Sequence, residues 1–157
     1  MKKIIEINLE HKEDVMREIE INPKKNLEFL HHAIVDAFGL EKNELASFYT
    51  VNNKLETKQE IPLLNFNTEN IDLIEMRNYE ISSVLVNEGD QVIYVYDFMK
   101  MWRFLVTLKK EEQNTIKSFK CIKSIGEIPK NAPVLKFDIE DDNHNYNNDL
   151  DQIDYYE

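Results

Sequence analysis

An acid and two aromatic residues near the middle of the chain are the first candidates for chemistry. Asp97 and Trp102 stand at the two ends of the segment DFMKMW, directly after Tyr96. A carboxylate beside an aromatic wall would bind a ligand, or act as general acid or base if a second acid, base or metal were close. An aspartate in a turn commonly accepts backbone N–H bonds instead. We therefore predict a hydrophobic core with a turn-forming Asp97, and keep Tyr96, Asp97 and Trp102 as candidate binding residues.

Two adjacent histidines are the next candidates. His31 and His32 follow each other in a predicted helix, so they point in different directions, whereas a helical metal pair needs a spacing of three or four residues. His31 shares its helix face with Leu27 and Ile34, which predicts a packed, hydrogen-bonded histidine. It stays a candidate binding residue.

The remaining reactive side chains indicate no reaction. Cys121 has lysines close on both sides, which lower a thiol pKa, but a buried or inert thiol is the preferred interpretation. As the sole cysteine it can form neither an intramolecular disulfide nor a cysteine-based zinc site. The sequence has no nucleophile elbow and no phosphate-binding glycine loop. We predict no catalytic residue, no metal and no cofactor. An interaction module is favoured over an enzyme.

One helix is predicted with well-defined ends. Asn26 is a good N-cap, apolar residues recur at helical spacing over 27–38, and Gly39 supplies a left-handed stop. The sequence predicts strands at 2–10, 15–21, 46–51, 91–98, 102–109 and 116–123. Alternation of apolar and polar residues is clear in the first two and in 102–109, whereas 46–51 is predicted from its aromatic and β-branched residues and the absence of helix caps.

The segments between these elements are less regular. Residues 52–70 are rich in asparagine and read as a long irregular connection, 71–76 as a short element of uncertain type, and a single helical turn opens near Ser82. The predicted class is α+β, a β-grasp-like layout with one principal helix across a mixed, mainly antiparallel sheet. One domain is expected over 1–137, followed by an acidic, disordered tail over 138–157.

Charge is distributed unevenly along the chain. The net charge is -11, yet residues 100–136 hold 9 basic and 3 acidic residues, and residues 138–157 hold 8 acidic and no basic ones. The overall acidity disfavours nucleic acid and anionic membranes as partners. No transmembrane run and no signal peptide is recognisable, so a cytoplasmic protein is expected.

The local basic block nevertheless keeps a second hypothesis open, in which the protein binds nucleic acid and its acidic tail competes with phosphates. Tyr94, Tyr96 and Phe119 would stack on bases. The basic surface would consist of Lys100, Arg103, Lys109, Lys110, Lys117, Lys120, Lys123, Lys130 and Lys136.

Three segments resemble a known family. INLEHKEDVMREIEI, NLEFLHHAIVDAFGLEKNELASF and YVYDFMKMW follow each other in the order seen in the plasmid pRiA4b ORF-3-like family, and the similarity spans roughly residues 3 to 133. In this resemblance Arg17 is the family's basic residue of the second strand and His31 its helix histidine. Both join the candidate binding residues, as does Arg103 from the basic block.

The departures from the family pattern affect polar positions. Met16 stands where the family has a tryptophan, Glu44 and Phe104 where it has histidines, and Met99-Lys100 where it has Gly-Asp. The apolar positions remain, so the resemblance implies the fold and no established reaction. Family members are associated with plasmids and transposable elements. We expect a non-enzymatic interaction module, with a protein as its partner.

Overall fold

The computed structural model describes residues 1–66 and 73–133. Its regular elements are, in chain order, β1 (Lys2–Leu9), β2 (Met16–Ile21), α1 (Leu27–Phe38), β3 (Ala46–Val51), β4 (Thr57–Pro62), a 3-10 turn (Met76–Asn78), α2 (Ile81–Val84), β5 (Gln91–Tyr96), β6 (Trp102–Glu112) and β7 (Phe119–Ile125). The six predicted strands, the long helix and the single helical turn are all confirmed, with ends that differ by a few residues.

The strands form one open sheet in the order β4-β3-β5-β6-β1-β2-β7. Each of the six pairings between described strands is antiparallel. β6 lies at the centre, between β5 and β1, and β4 and β7 are the two edges. The predicted α+β class, with one principal helix and a mainly antiparallel sheet, is confirmed.

Helix α1 begins and ends where local chemistry requires it. The Asn26 side chain accepts a hydrogen bond from the backbone N–H of Phe29 at 2.9 Å, which satisfies one of the free donors of the first turn. Gly39 closes the helix at φ 69°, a left-handed conformation that costs glycine little. The apolar stripe of the helix, including Leu30 and Ile34, is fully buried.

The helix covers one face of the sheet and leaves the other open. On the covered face, Ile5 and Ile7 of β1 and Phe104 and Val106 of β6 are fully buried, and the Phe38 ring lies 4.9 Å from that of Phe104. The residues between them point to the opposite, open face because side chains alternate along a strand. The open face carries Glu6, Glu18, Tyr49, Arg103 and Thr107.

One prediction about the fold was wrong. Residues 57–62, within the predicted irregular connection, form strand β4, which pairs with β3. Ile61 is its only fully buried side chain, because an edge strand contacts the core along little of its length. Its sequence therefore shows no useful alternation. Residues 67–72, which include the rest of that connection and the start of the uncertain element 71–76, lie outside the described residues.

The predicted end of the domain at 137 and the tail over 138–157 also lie outside the described residues. Within residues 1–66 and 73–133, no helix is long and apolar enough to span a membrane.

Candidate functional site

Asp97 shapes the connection between β5 and β6. It has φ 65°, and Met101, at the other end of the turn, has φ 57°. The Asp97 carboxylate accepts the backbone N–H of Met99 at 3.1 Å, and its carbonyl accepts those of Lys100 and Met101 at 3.0 and 2.6 Å. Asp97 is 7% exposed. The side chain therefore stabilises the turn. The turn contains no glycine, and aspartate is one of the residues that tolerate a positive φ.

Tyr96 and Trp102 face each other across β5 and β6 and belong to the core. The Tyr96 hydroxyl donates a hydrogen bond to the backbone carbonyl of Glu41. Burial, followed by the nearby carboxylates of Glu44 and Asp97, raises the pKa of Tyr96 to about 12. The Tyr96 side chain therefore joins β5 to the segment after α1, and Trp102 packs in the core.

Arg17 is a buried clamp between α1 and the end of β7. Its Nε donates to the carbonyl of Ala37 at 3.0 Å, and its Nη1 donates to the carbonyls of Met16 and Gly126 at 2.8 and 2.9 Å. The guanidinium lies 4.8 Å above the centre of the Phe38 ring. All of these bonds are internal, so the guanidinium is committed to the fold.

Gly126 makes that clamp sterically possible. It has φ 74°, and a Cβ added there would lie 2.2 Å from the backbone oxygen of Asp14. Only glycine allows the chain to pass so close to the β1–β2 connection.

His31 connects α1 to β5 inside the core. Its Nδ1 lies 2.6 Å from the Tyr94 hydroxyl, and the residue is 1% exposed. Burial first, and the neighbouring His32 second, lower the pKa of His31 to about 4. A neutral imidazole results, with its hydrogen bond satisfied. No group of three or more His, Cys, Asp or Glu side chains suited to a metal occurs in the described part of the chain.

Arg103 is the one candidate residue on the open face. Its Nε lies 3.1 Å from both carboxylate oxygens of Glu10. The six candidate residues therefore do not converge on one site: the guanidinium of Arg17 reaches the end of α1, His31 lies in the core, and Tyr96, Asp97 and Trp102 lie around the β5–β6 turn.

The basic block is partly neutralised along β6. Besides Arg103, Lys109 pairs with Glu6 at 3.6 Å and Lys110 with Glu112 at 3.4 Å. Of the aromatic residues predicted to stack on bases, Tyr94 and Tyr96 are buried and Phe119 packs on Phe29, with ring centres 5.8 Å apart. Lys120 and Lys123 lie exposed on β7, and Lys136 falls outside the described residues.

Sequence reasoning missed an exposed apolar cluster at the end of the sheet where β5 turns into β6. We call it the tip cluster; its members are Leu64, Phe66, Phe98, Met99 and Met101. Met99 is 92% exposed and Phe66 74%. The sequence feature that could have predicted the cluster is the turn segment FMKM, which is largely apolar, whereas turns are normally polar.

A cavity of about 300 Å³ lies within this cluster. Its walls include Leu45, Pro62, Leu64, Phe66 and Phe98, together with Glu60.

Glu60 at the cavity wall belongs to a polar network on the open face. Its carboxylate accepts the Ser47 hydroxyl at 2.6 Å. Burial and the hydrogen-bonded Glu60 carboxylate raise the pKa of Tyr49. An apolar cavity with one exposed carboxylate at its wall is suited to an apolar side chain with a cation beside it.

Comparison with solved structures supports the fold. One similar chain is that of MM3350, a protein of unknown function from Methanosarcina mazei Go1 whose crystal structure is known. The two chains superimpose with a TM-score of 0.61 at 20% sequence identity. The match covers 78% of this chain and 68% of that one. At this identity the likeness concerns the fold alone. No curated protein matches the sequence.

Comparison with family models is more specific. The model described as plasmid pRiA4b ORF-3-like protein matches residues 3–132, which include both helices and all the described strands apart from Lys2, the first residue of β1. That span agrees with the three sequence segments on which the resemblance rests. The chain belongs to the plasmid pRiA4b ORF-3-like family.

Proposed function

We propose that this protein is a non-enzymatic module that binds another protein through the tip cluster. The single observation that carries the proposal is the exposure of Phe66 and Phe98 at an apolar cavity, next to the exposed Met99 and Met101 of the β5–β6 turn. Contiguous apolar groups of this kind on a protein surface commonly mark an interaction site, whereas isolated ones need no explanation.

The side chains of the cluster have suitable properties for docking. Aromatic side chains provide large contact areas and are frequent among residues that dominate binding energy. Methionine is flexible and adapts to irregular partner surfaces. Nothing in the fold requires Met99 to be apolar, since its side chain is almost fully exposed.

The proposed partner segment carries one large apolar side chain next to a lysine or arginine. The apolar side chain would fill the cavity between Leu64, Phe66 and Phe98. The cation would face Glu60, which is exposed at the cavity wall. Charge complementarity of this kind contributes to specificity and association rate.

The non-enzymatic part of the proposal is supported by the roles of the polar candidates. Arg17, His31 and Asp97 are occupied by internal hydrogen bonds, so each would have to leave the fold to act on a substrate. Since the family is named after a plasmid reading frame, we place the partner among proteins of mobile genetic elements. We place the interaction in the cytoplasm because Cys121 is unpaired and exposed.

Nucleic-acid binding is the alternative function. It would now depend mainly on exposed lysines such as Lys120 and Lys123, because Arg103, Lys109 and Lys110 already pair with glutamates.

A phage library of random peptides tests the proposal, with the full chain as bait. The selected peptides should combine a large apolar residue with an adjacent lysine or arginine. They should lose binding to a Phe66→Ser/Met99→Ser variant, in which both substituted side chains are largely exposed and folding is expected to be unaffected. A Leu55→Ser/Val86→Ser variant is the matched control, since these exposed residues lie at the other end of the sheet. Peptides that bind the tip variant as well as the wild type, or a library without enrichment, would contradict the proposal.

A further inference from the structure

The two edges of the sheet differ in how they are protected against an additional strand. Edge strands expose unpaired N–H and C=O groups, and natural proteins block them with proline, charge or bulges. At one edge, β4 ends in Pro62, which has no N–H, and it carries charges of both signs in Lys58 and Glu60.

At the other edge, β7 has no proline and no acidic residue. All its side chains from Lys120 to Ile125 are exposed, and Ile122 and Ile125 are each 40% exposed. Lys120 and Lys123 lie opposite Glu20 and Glu18 of β2, yet neither lysine forms an ion pair with another described residue.

The positive charge of β7 determines which kind of strand could pair with it. A second copy of the chain pairing through β7 would bring lysines close to lysines, and like charges on neighbouring strands are destabilising. A strand with acidic residues at those positions would be stabilised by opposite charges. The extra residue Ile122 opposite β2 bends the strand but leaves the lysines on one face.

We propose that the outer edge of β7 is a second docking surface, and that it binds an extended acidic segment of a partner protein by strand addition. Acidic side chains of the segment lie beside Lys120 and Lys123, and the alternate apolar side chains lie on the opposite face, beside Phe119. This surface is at the opposite edge of the sheet from β4 and the cavity of the tip cluster, so it can be tested independently of the proposed function.

A synthetic peptide that alternates glutamate with valine is the probe, and the full chain is the target. Binding is measured by calorimetry at low salt. Hydrogen exchange of the β7 amides then distinguishes strand addition from loose electrostatic attraction, because only an added strand bonds to the backbone. We expect binding with slowed exchange in β7, and no binding of the corresponding lysine–valine peptide.

Charge reversal supplies the decisive comparison. A Lys120→Glu/Lys123→Glu variant should bind the glutamate peptide about tenfold more weakly, or worse, and should gain binding of the lysine peptide. A Lys54→Glu/Lys58→Glu variant has the same net charge but is changed near the β4 edge, and should behave as the wild type. Equal binding to both variants, or no binding to the wild type, would overturn the proposal.

A different occupant would also be visible. If the β7 amides of the wild type exchange slowly before any peptide is added, and quickly in the Lys120→Glu/Lys123→Glu variant, then the chain's own acidic residues over 138–157 occupy the edge. That result would overturn the proposal of a partner segment.

Discussion

The covered and open faces of the sheet use polar residues in different ways. On the covered face, Arg17 and His31 are buried and bonded to groups distant in sequence. On the open face, Arg103 forms an ion pair with Glu10, and both side chains are about one-third exposed. Two arginines of the same chain thus have different environments.

Because of this difference, two residues that are equally good candidates in the sequence can contribute very differently to the stability of the fold. Removing a buried charged group lowers the free energy of unfolding strongly, because its buried hydrogen-bond partners cannot bond to water instead. An exposed ion pair contributes little to the free energy of unfolding. Arg17 and Arg103 were equal candidates in the sequence, and their effects on unfolding should differ widely.

The largest effect is expected for Arg17→Met. Removing the guanidinium leaves the carbonyls of Ala37 and Gly126 without their donor and detaches the end of α1, so the free energy of unfolding should fall by about 4 kcal/mol. Urea denaturation measures the change. Arg17→Lys should recover only part of it, since lysine lacks the planar fork. A loss below about 1 kcal/mol would show that the clamp is dispensable.

The next effect depends on pH. The pKa of His31 is about 4 in the folded protein and near 6.5 when unfolded, so the unfolded chain binds the extra proton. Stability is complete above about pH 6.5 and should fall by up to about 3 kcal/mol as pH drops to 4.

A His31→Gln variant should lose this part of the pH dependence, although it is less stable at neutral pH. His11→Gln, in the β1–β2 connection, should keep the wild-type profile. Denaturation curves at several pH values decide the matter, and identical slopes for wild type and His31→Gln would contradict the assignment.

A smaller effect is expected on the open face. Arg103→Met should change the free energy of unfolding by at most about 1 kcal/mol, because the Arg103–Glu10 pair is exposed and screened by salt. The same urea experiment applies. A loss as large as that of Arg17→Met would remove the distinction between the faces.

The smallest signal is expected for nucleic acid. With Lys109 and Lys110 paired and Tyr94 buried, the full chain should bind single- and double-stranded DNA and RNA weakly at low salt. A chain ending at Phe137 should behave alike. Strong binding by the shortened chain, falling steeply with salt, would instead favour the basic surface with the acidic tail as its competitor.

The candidate residues show which inferences a sequence supports. The turn role of Asp97 and the packed histidine were predicted, because both follow from local geometry and helix periodicity. The clamp of Arg17 was not, since its partners Ala37 and Gly126 lie 20 and 109 residues away. The tip cluster was also missed, because Leu64 and Phe98 meet only when β4 and β5 flank β3.

The sequence by itself determined the elements whose signals are local: helix α1 between Asn26 and Gly39, and the strands with clear alternation. Only the tertiary structure decided that residues 57–62 form a strand, that β1 inserts between β6 and β2, and that Lys120 and Lys123 at one edge form no ion pair with another described residue. Capping and periodicity depend on neighbouring residues, whereas pairing partners and exposure depend on contacts between residues far apart in the chain.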